Sequence, residues 1–261
     1  MNCRICSGIT QLSYVLHSNR SRETVQLFYC PACDFFLSAG VPVRYDVYHE
    51  NFDILGYYAG AEQSIRSRFQ RVFSFVESLI PTGRFFDIGA GMGYSLDVAK
   101  NRGWLATGLE PNATLAQNAA GRGLDVQNSY LSVDTAGEYD FILIDNVLEH
   151  IPQPVDFLRL AKRHLAPTGV MLIAVPPMDW LRKALGAFSY LRNSASMPPQ
   201  LNIFREVDEH VNVFSRKAMG KLLKAVGLRP LGIRFHHSFA YDNVVFRALQ
   251  LDDGYYFVGR E

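Results

Sequence analysis

Charge of one sign is missing from this sequence. Its 26 lysines and arginines meet 25 acids, so the net charge is only +1 over 261 residues. No strong field therefore invites nucleic acid or an anionic membrane. Long apolar runs are missing too: none approaches the ~18 residues that a membrane span needs. The opening Met1-Asn2-Cys3-Arg4-Ile5-Cys6 lacks the apolar core of a signal peptide, which makes a cytoplasmic protein the expectation. No cysteine follows position 33, and there is no internal repeat or low-complexity tract. With 48% hydrophobic residues, the chain has an ordinary globular composition. It is long enough for one full domain plus an appendage.

The rest of the chain is organised around residues 83–110. Phe85, Phe86 and Ile88 form a short apolar run, as in a buried strand. It breaks into glycines at 89, 91 and 93. A helix follows with Leu96, Val98 and Ala99 on its apolar face, and Gly103 stops it. A second strand, Leu105 to Leu109, ends on Glu110. Such a strand, turn, helix and strand unit builds nucleoside-binding parallel sheets.

The turn departs from the dinucleotide fingerprint, which needs glycines at relative positions one, three and six. The sixth position from Gly89 is Tyr94, and from Gly91 it is Leu96. Asp87, two residues before the first glycine, would repel a pyrophosphate but suits a ligand carrying an ammonium group. The bare glycines let the main chain approach that ligand closely. Glu110 stands 23 residues beyond Asp87, where an acid accepting ribose hydroxyls is expected. A ribose, a positive charge and no phosphate together describe S-adenosylmethionine.

All four cysteines fall in two pairs, Cys3-x-x-Cys6 and Cys30-x-x-Cys33. Four thiolates in this spacing can converge tetrahedrally on Zn²⁺, and a closed four-sulfur site is structural rather than catalytic. Two disulfides or a rubredoxin-like iron site are the competing readings. Between the pairs, Val25, Leu27 and Tyr29 alternate with polar Thr24 and Gln26 as on a strand, and Phe28 breaks the strict alternation. A segment of this size builds little core, so its metal would supply folding energy.

Residues 41–80 read as a connector that turns helical, with Phe69, Val72, Phe73, Val76 and Leu79 at helical spacing. A helix from Asn112 to Ala120 and a short strand at Leu124 to Val126 come next. The strand Tyr139 to Asp145 is mostly apolar, as one buried on both faces. A helix from Asp156 to Leu165, a turn at Pro167 to Gly169 and a strand from Val170 to Val175 follow. The rule that ligands bind outside the carboxyl ends of such strands puts Asp87, Glu110 and the segment Asp145 to His150 on one rim. Residues 178–208 form a long irregular insertion, of the kind that serves as a lid. Ser215 then caps an amphipathic helix, Arg216 to Val226, and two closing strands end the chain. The expected domains are a zinc knuckle at 1–40, a helical connector at 41–80 and the main domain at 81–261.

From about residue 45 onward the chain resembles the class I S-adenosylmethionine-dependent methyltransferases. Within them it is most similar to the bacterial subgroup that carries an N-terminal cysteine knuckle. The resemblance rests on Asp87-Ile-Gly-Ala-Gly-Met-Gly, on Gly108-Leu-Glu-Pro and on Asn146-Val-Leu-Glu-His-Ile-Pro. It is supported by Leu165-Ala-Pro-Thr-Gly-Val and by Glu209-His-Val-Asn-Val-Phe-Ser. It implies an α/β fold: a seven-stranded, Rossmann-like, mostly parallel sheet with an antiparallel final strand and helices on both faces. It also implies that Gly89, Ala90, Gly91 and Gly93 lie along the methionine part of the cofactor, with Asp87 near its amino group. Glu110 would hold the ribose with Pro111 beside it, and Asp145 and Asn146 would flank the methionine. Tyr130 and its neighbours would line the adenine, at a loop where the usual pattern has an aspartate.

Transfer to a hydroxyl requires a proton acceptor, and histidine titrates in the right range. His150 follows the fourth strand on the rim, and His210 ends the insertion. Both are candidate bases, and Glu149 is read as a support for a loop or a histidine. The leading reading is methylation of a small polar metabolite, a sugar intermediate or secondary metabolite, on oxygen, nitrogen or carbon. RNA methylation with the knuckle as a docking element is the alternative, and near-neutral charge argues against it. A third is a binding module that has lost its chemistry.

Overall fold

The computed structural model describes residues 1–17, 24–39, 53–176, 210–237 and 252–260. The expected insertion at 178–208 and the start of the connector lie outside them. An antiparallel sheet opens the chain, with strands β1 (Gln11–His17), β2 (Thr24–Cys30) and β3 (Phe35–Ala39). Helix α1 (Ile54–Val76) follows. The main sheet then alternates with helices: β4 (Arg84–Ile88), α2 (Tyr94–Asn101), β5 (Leu105–Leu109), α3 (Ala113–Gly121) and β6 (Val126–Gln127). It continues through β7 (Tyr139–Asp145), α4 (Pro154–Arg163) and β8 (Leu165–Val175). A short β9 (Asn212–Phe214), helix α5 (Arg216–Val226), β10 (Leu228–His237) and β11 (Asp252–Arg260) close it.

The main sheet has seven strands in the order β10-β11-β8-β7-β4-β5-β6. β8, β7, β4, β5 and β6 are mutually parallel, and β11 runs antiparallel between β10 and β8. The expected architecture, reversed last strand included, is present. Neighbouring residues of the central strands face opposite layers. Phe85, Phe141, Leu143 and Leu172 pack with α1, α2 and α3. Phe86, Ile142, Ile144 and Ile173 pack with α4 and α5. Because both faces are covered, the strands read as continuous apolar runs rather than as alternation. Among the described residues no helix is long and apolar enough to cross a membrane.

Three local expectations need correction. Leu124 packs into the helical layer instead of starting a strand, and β6 covers only Val126 and Gln127. Pro167 to Gly169 does not separate two elements. It bulges out of a continuous β8, where Tyr139 pairs with Leu165 and Phe141 with Val170. A bulge is one of the few places where a strand tolerates proline. α1 stops at Val76, so Leu79 leaves the apolar stripe and is exposed.

The strand β9 has no counterpart in the sequence reading. It pairs with β3 and completes a four-stranded sheet, β1-β2-β3-β9. Three residues are too few for a period to show. The N-terminal module is therefore closed by a strand more than 170 positions away, since Phe35 pairs with Phe214.

α1 is fastened by Phe73, which is fully buried and meets Phe85 and Phe141 edge to face and Trp104 at a tilt. Phe73→Ala is expected to cost about 3–5 kcal/mol in urea unfolding, the range for truncating a buried aromatic. A loss below about 1 kcal/mol would mean that α1 is not part of the cooperative core.

Candidate active site

Parallel β4, β5 and β7 bring their carboxyl ends to one edge, where ligands bind in open α/β sheets. The glycine turn leaves β4 there, and the amides of Gly89 and Ala90 donate to Leu109 O at 2.8 and 2.9 Å. Gly91 has φ +54°, and a Cβ on it would sit 3.2 Å from the Tyr58 hydroxyl of α1. Gly89 has φ +91°, and Val147 fills the space that its side chain would take. Glycine is thus required at both positions, by conformation and by close approach.

Carboxylates crowd this turn. Glu110 is buried, and its oxygens accept from the Gly91 amide at 2.7 Å and the Asn112 amide at 2.8 Å. Burial pushes its pKa up, and the two amides oppose that. Each oxygen keeps a second lone-pair direction for a hydroxyl. Asp87 is also buried. Its Oδ2 accepts from the Ser95 hydroxyl, while Oδ1 is buried without a hydrogen-bond partner. Burial, with added repulsion from Asp145 and Glu110, pushes Asp87 up to about 7, against the Ser95 hydrogen bond and the Arg68 charge. Three acids and an unsatisfied buried acceptor fit a cationic, hydroxyl-bearing ligand and would disfavour a pyrophosphate.

Asp145 ends β7 and is held in a fork by Arg68 of α1, at 2.9 and 2.5 Å. Asn146 follows in the left-handed region at φ +53°, its amide bonded to Ala174 O at 3.0 Å. The rim so brings together Asp87, Gly89, Ala90, Gly91, Gly93, Glu110, Asp145 and Asn146. Pro111 adjoins Glu110, and Tyr130 lies beyond β6, 51% exposed.

Val147, which packs on Gly89, leads into a 3-10 turn, Leu148–His150. Leu148 is fully buried and anchors it. The ring of His150 lies 4.8 Å from that of His210, edge to face. The Nε2 atom of each is 3.9 Å from Oε1 of buried Glu149. Two histidines that sequence places 60 positions apart thus meet at one carboxylate. Burial holds His150 down to about 4, and burial plus the His150 charge holds His210 well below its ordinary value. Both are neutral at pH 7, the form that can take up a proton; burial opposes that charge, and the Glu149 carboxylate 3.9 Å from each ring is placed to stabilise it. One carboxylate oxygen and two ring nitrogens within 4.8 Å of one another also have the chemistry to take a divalent cation.

At the far end of the chain the sulfurs of Cys3, Cys6, Cys30 and Cys33 lie within 4.8 Å of one another as free thiols. The two pairs fold alike. The Ser7 amide donates to Cys3 O at 2.9 Å and the Asp34 amide to Cys30 O at 2.8 Å. Ser7 and Asp34 both adopt positive φ, +59° and +58°. Burial opposes ionisation of Cys6, but the Gly8 amide and the neighbouring sulfurs outweigh it and bring the thiol to about 7. Four sulfurs so gathered could hold a metal ion.

The sequence assigns no role to Arg68, Arg4 or Asn212, while Tyr58 belongs to the aromatic-rich entry of the connector, from which one or two tyrosines are expected at the cleft. Arg68 could have been found: at helical spacing it shares the stripe of Ile65, Phe69, Val72 and Val76, where a charge needs a partner. Asn212 carried no signal, because its role depends on a strand too short to read.

The reversed strand between β10 and β8 and the acid-flanked glycine turn define a class I S-adenosylmethionine-dependent methyltransferase. The chain belongs to the methyltransferase domain family, whose model matches residues 59–231. It is 32% identical over 100 residues to a ubiquinone biosynthesis O-methyltransferase of Caulobacter sp. (strain K31), covering 35% of this chain. The match spans only 40% of that relative's length. With the enzyme of the same name from Pseudomonas aeruginosa PAO1 it shares 24% identity over 173 residues, 61% of this chain and 73% of that one. Two solved structures share the fold. The plantazolicin methyltransferase BpumL in complex with SAH superposes at TM-score 0.57 with 13% identity, over 80% of this chain and 89% of that one. Magnesium protoporphyrin IX methyltransferase from Synechocystis PCC 6803 superposes at 0.55 with 13% identity, over 83% and 91%.

The histidine pair sets a pH response. In the unfolded chain each histidine titrates near ~6.5, above its folded value, so the unfolded state binds more protons once pH falls below that point. Stability is expected to fall from pH 6.5 towards pH 4, read as the thermal midpoint. Asp87 has the opposite sign: its share is present below about 4 and lost as pH rises to about 7, so it offsets part of the histidine effect in the same window. A His150→Gln/His210→Gln double variant should flatten the acid limb; a limb of unchanged steepness would contradict the assignment.

Proposed function

We propose that this protein transfers a methyl group from S-adenosylmethionine to a hydroxyl of a small polar metabolite. The reading is carried by the meeting of His150, His210 and Glu149 immediately after Val147, the residue that packs on the glycine turn. A proton acceptor thereby stands next to the cofactor rim, which transfer to oxygen requires and transfer to an amine or activated carbon does not. The relatives named as O-methyltransferases support the same reading.

Bound S-adenosylmethionine supplies an activated methyl group on a sulfonium. The residues around it bind and align, because an in-line displacement depends chiefly on orientation and water exclusion. Glu110 takes the ribose hydroxyls through its free lone pairs. Asp87 would face the cationic end, and the Arg68 guanidinium, held at Asp145, would supply a charged donor for the methionine carboxylate. Tyr58 covers the turn from α1. Of the two histidines, the one nearer the acceptor takes its proton, and Glu149 stabilises the imidazolium. We further assign the four cysteines to structural zinc, in an N-terminal module (residues 1–39) that borrows β9.

Two measurements check this. A cationic group beside Asp87 lowers its pKa, so binding at pH 7 should release up to about half a proton. Calorimetry of S-adenosylmethionine in buffers of different ionisation enthalpy would read that, and Asp87→Asn should abolish it. Identical heats in all buffers would remove Asp87 from the cofactor site. For the chemistry, release of S-adenosylhomocysteine is followed over a panel of small hydroxyl compounds and RNA. His150→Gln or His210→Gln should lower turnover about 10²- to 10⁴-fold with cofactor affinity unchanged. Turnover on RNA alone, or full activity in both variants, would overturn the proposal.

A further inference from the structure

The two histidines come from different segments, and neither segment fixes the other by its own backbone. His150 sits in the 3-10 turn after β7, and His210 precedes β9. One side chain joins them. Asn212 is buried, and its amide nitrogen donates to Leu148 O at 3.2 Å and to Ile151 O at 2.6 Å, one at each end of the turn that carries Glu149 and His150. Its remaining oxygen is taken by Arg4, the residue inside the first cysteine pair.

Arg4 is itself a three-way clamp. Its Nη1 donates to Asn212 Oδ1 at 2.9 Å and to Val211 O at 2.6 Å, and its Nη2 donates to Ser38 O at 3.1 Å. The Ser38 amide returns to Val211 O at 3.0 Å. His210 is the next residue back along the chain. One guanidinium held between two cysteine ligands therefore reaches His210 through the Val211 carbonyl and His150 through the Asn212 amide. A planar fork makes such multiple contacts, and a lysine ammonium does not.

We propose that the cysteine module is a positioning device for the histidine pair, and that Arg4 and Asn212 are positioning residues which set the distance and angle between the His150 and His210 rings. The chemistry of Asn212 supports this over mere packing. Three of its four hydrogen-bonding directions are used, both donors among them, so its amide cannot turn without orphaning buried groups. An aspartate there would lose both donors to the turn. The folded cysteine pairs fix the path of residue 4, and through it the acceptor side of the active site. The cofactor rim at Gly89 to Gly93 and Glu110 is hung from β4 and β5 and does not share this chain of bonds.

The proposal rests on reading His150 and His210 as the acceptor-side pair, but its test reads ring geometry rather than turnover. A failed proton-acceptor role and a failed link are thus told apart. Ring ¹⁵N and ¹H resonances of the zinc-loaded protein are recorded at pH 7.5 for the wild type, Arg4→Ala and Asn212→Ala, assigned with His150→Gln and His210→Gln. Zinc content is measured in each. Both variants are expected to shift the His150 and His210 signals. The signal of His164, whose Nδ1 contacts Gly137 O elsewhere in the fold, should stay in place. Calorimetric affinity for S-adenosylmethionine should change by less than about twofold, because Gly91 and Glu110 are bonded to each other across β4 and β5 and meet the histidine turn through the Val147 contact on Gly89. Unmoved His150 and His210 signals in either folded variant overturn the proposal. So does a loss of cofactor affinity as large in proportion as the ring shifts, since that reports general loosening. Should the variants not fold, amide exchange in the wild type decides. A zinc chelator should speed exchange of the Ser7 and His150 amides together; faster exchange at Ser7 alone overturns the link.

Discussion

Asp87, Glu110 and Asp145 crowd one end of a parallel sheet, where the Arg68 guanidinium is bonded to Asp145, and the described structure is arranged around that cluster of acids. Asp87 and Glu110 are buried, and both are pushed towards their neutral forms. Such groups are costly in an empty fold and useful only beside a cation or a hydroxyl donor. The bare glycine backbone between them admits a ligand where any side chain would obstruct it. This is strain and desolvation kept at a functional site, supported by the aromatic packing of Phe73, Phe85 and Phe141 beneath it.

The acceptor side is built on a different principle. The residues proposed to hold the cofactor hang from the sheet, where the Gly89 and Ala90 amides bond Leu109 O and the Gly91 amide bonds Glu110. The histidine pair is instead assembled across the chain, from the turn after β7 and from the approach to β9. Its two rings stay neutral because they are buried, and a charge on His150 further opposes protonation of His210. The cysteine module supplies β3, to which β9 pairs, and Arg4, to which Asn212 bonds. A segment with little core of its own thus shapes the site through a few directional hydrogen bonds.

Those two principles explain what the sequence revealed. Asp87, the glycines and Glu110 lie within 24 consecutive positions, and local spacing is what a single sequence displays. The apolar run of β7 announced a strand buried on both faces, that of β4 a short buried strand, and the paired cysteines announced their own cluster. Arg68 was legible as a charge in an apolar stripe but was not read. β9 and Asn212 were not legible, because a three-residue strand shows no period and a hydrogen bond between distant segments leaves no local mark. The bulge at Pro167 was misread for the same reason: a turn and a bulge share their residues and differ only in what pairs across from them.

The central claim is that the acid-flanked glycine turn selects a cationic, phosphate-free adenosine compound. The most direct test is the shift in thermal midpoint with S-adenosylmethionine set against NAD and ADP at equal concentration, since only ligands that bind the native state raise it. The account predicts a clear rise with S-adenosylmethionine and none with either pyrophosphate compound. A rise with NAD or ADP, and none with S-adenosylmethionine, would contradict it.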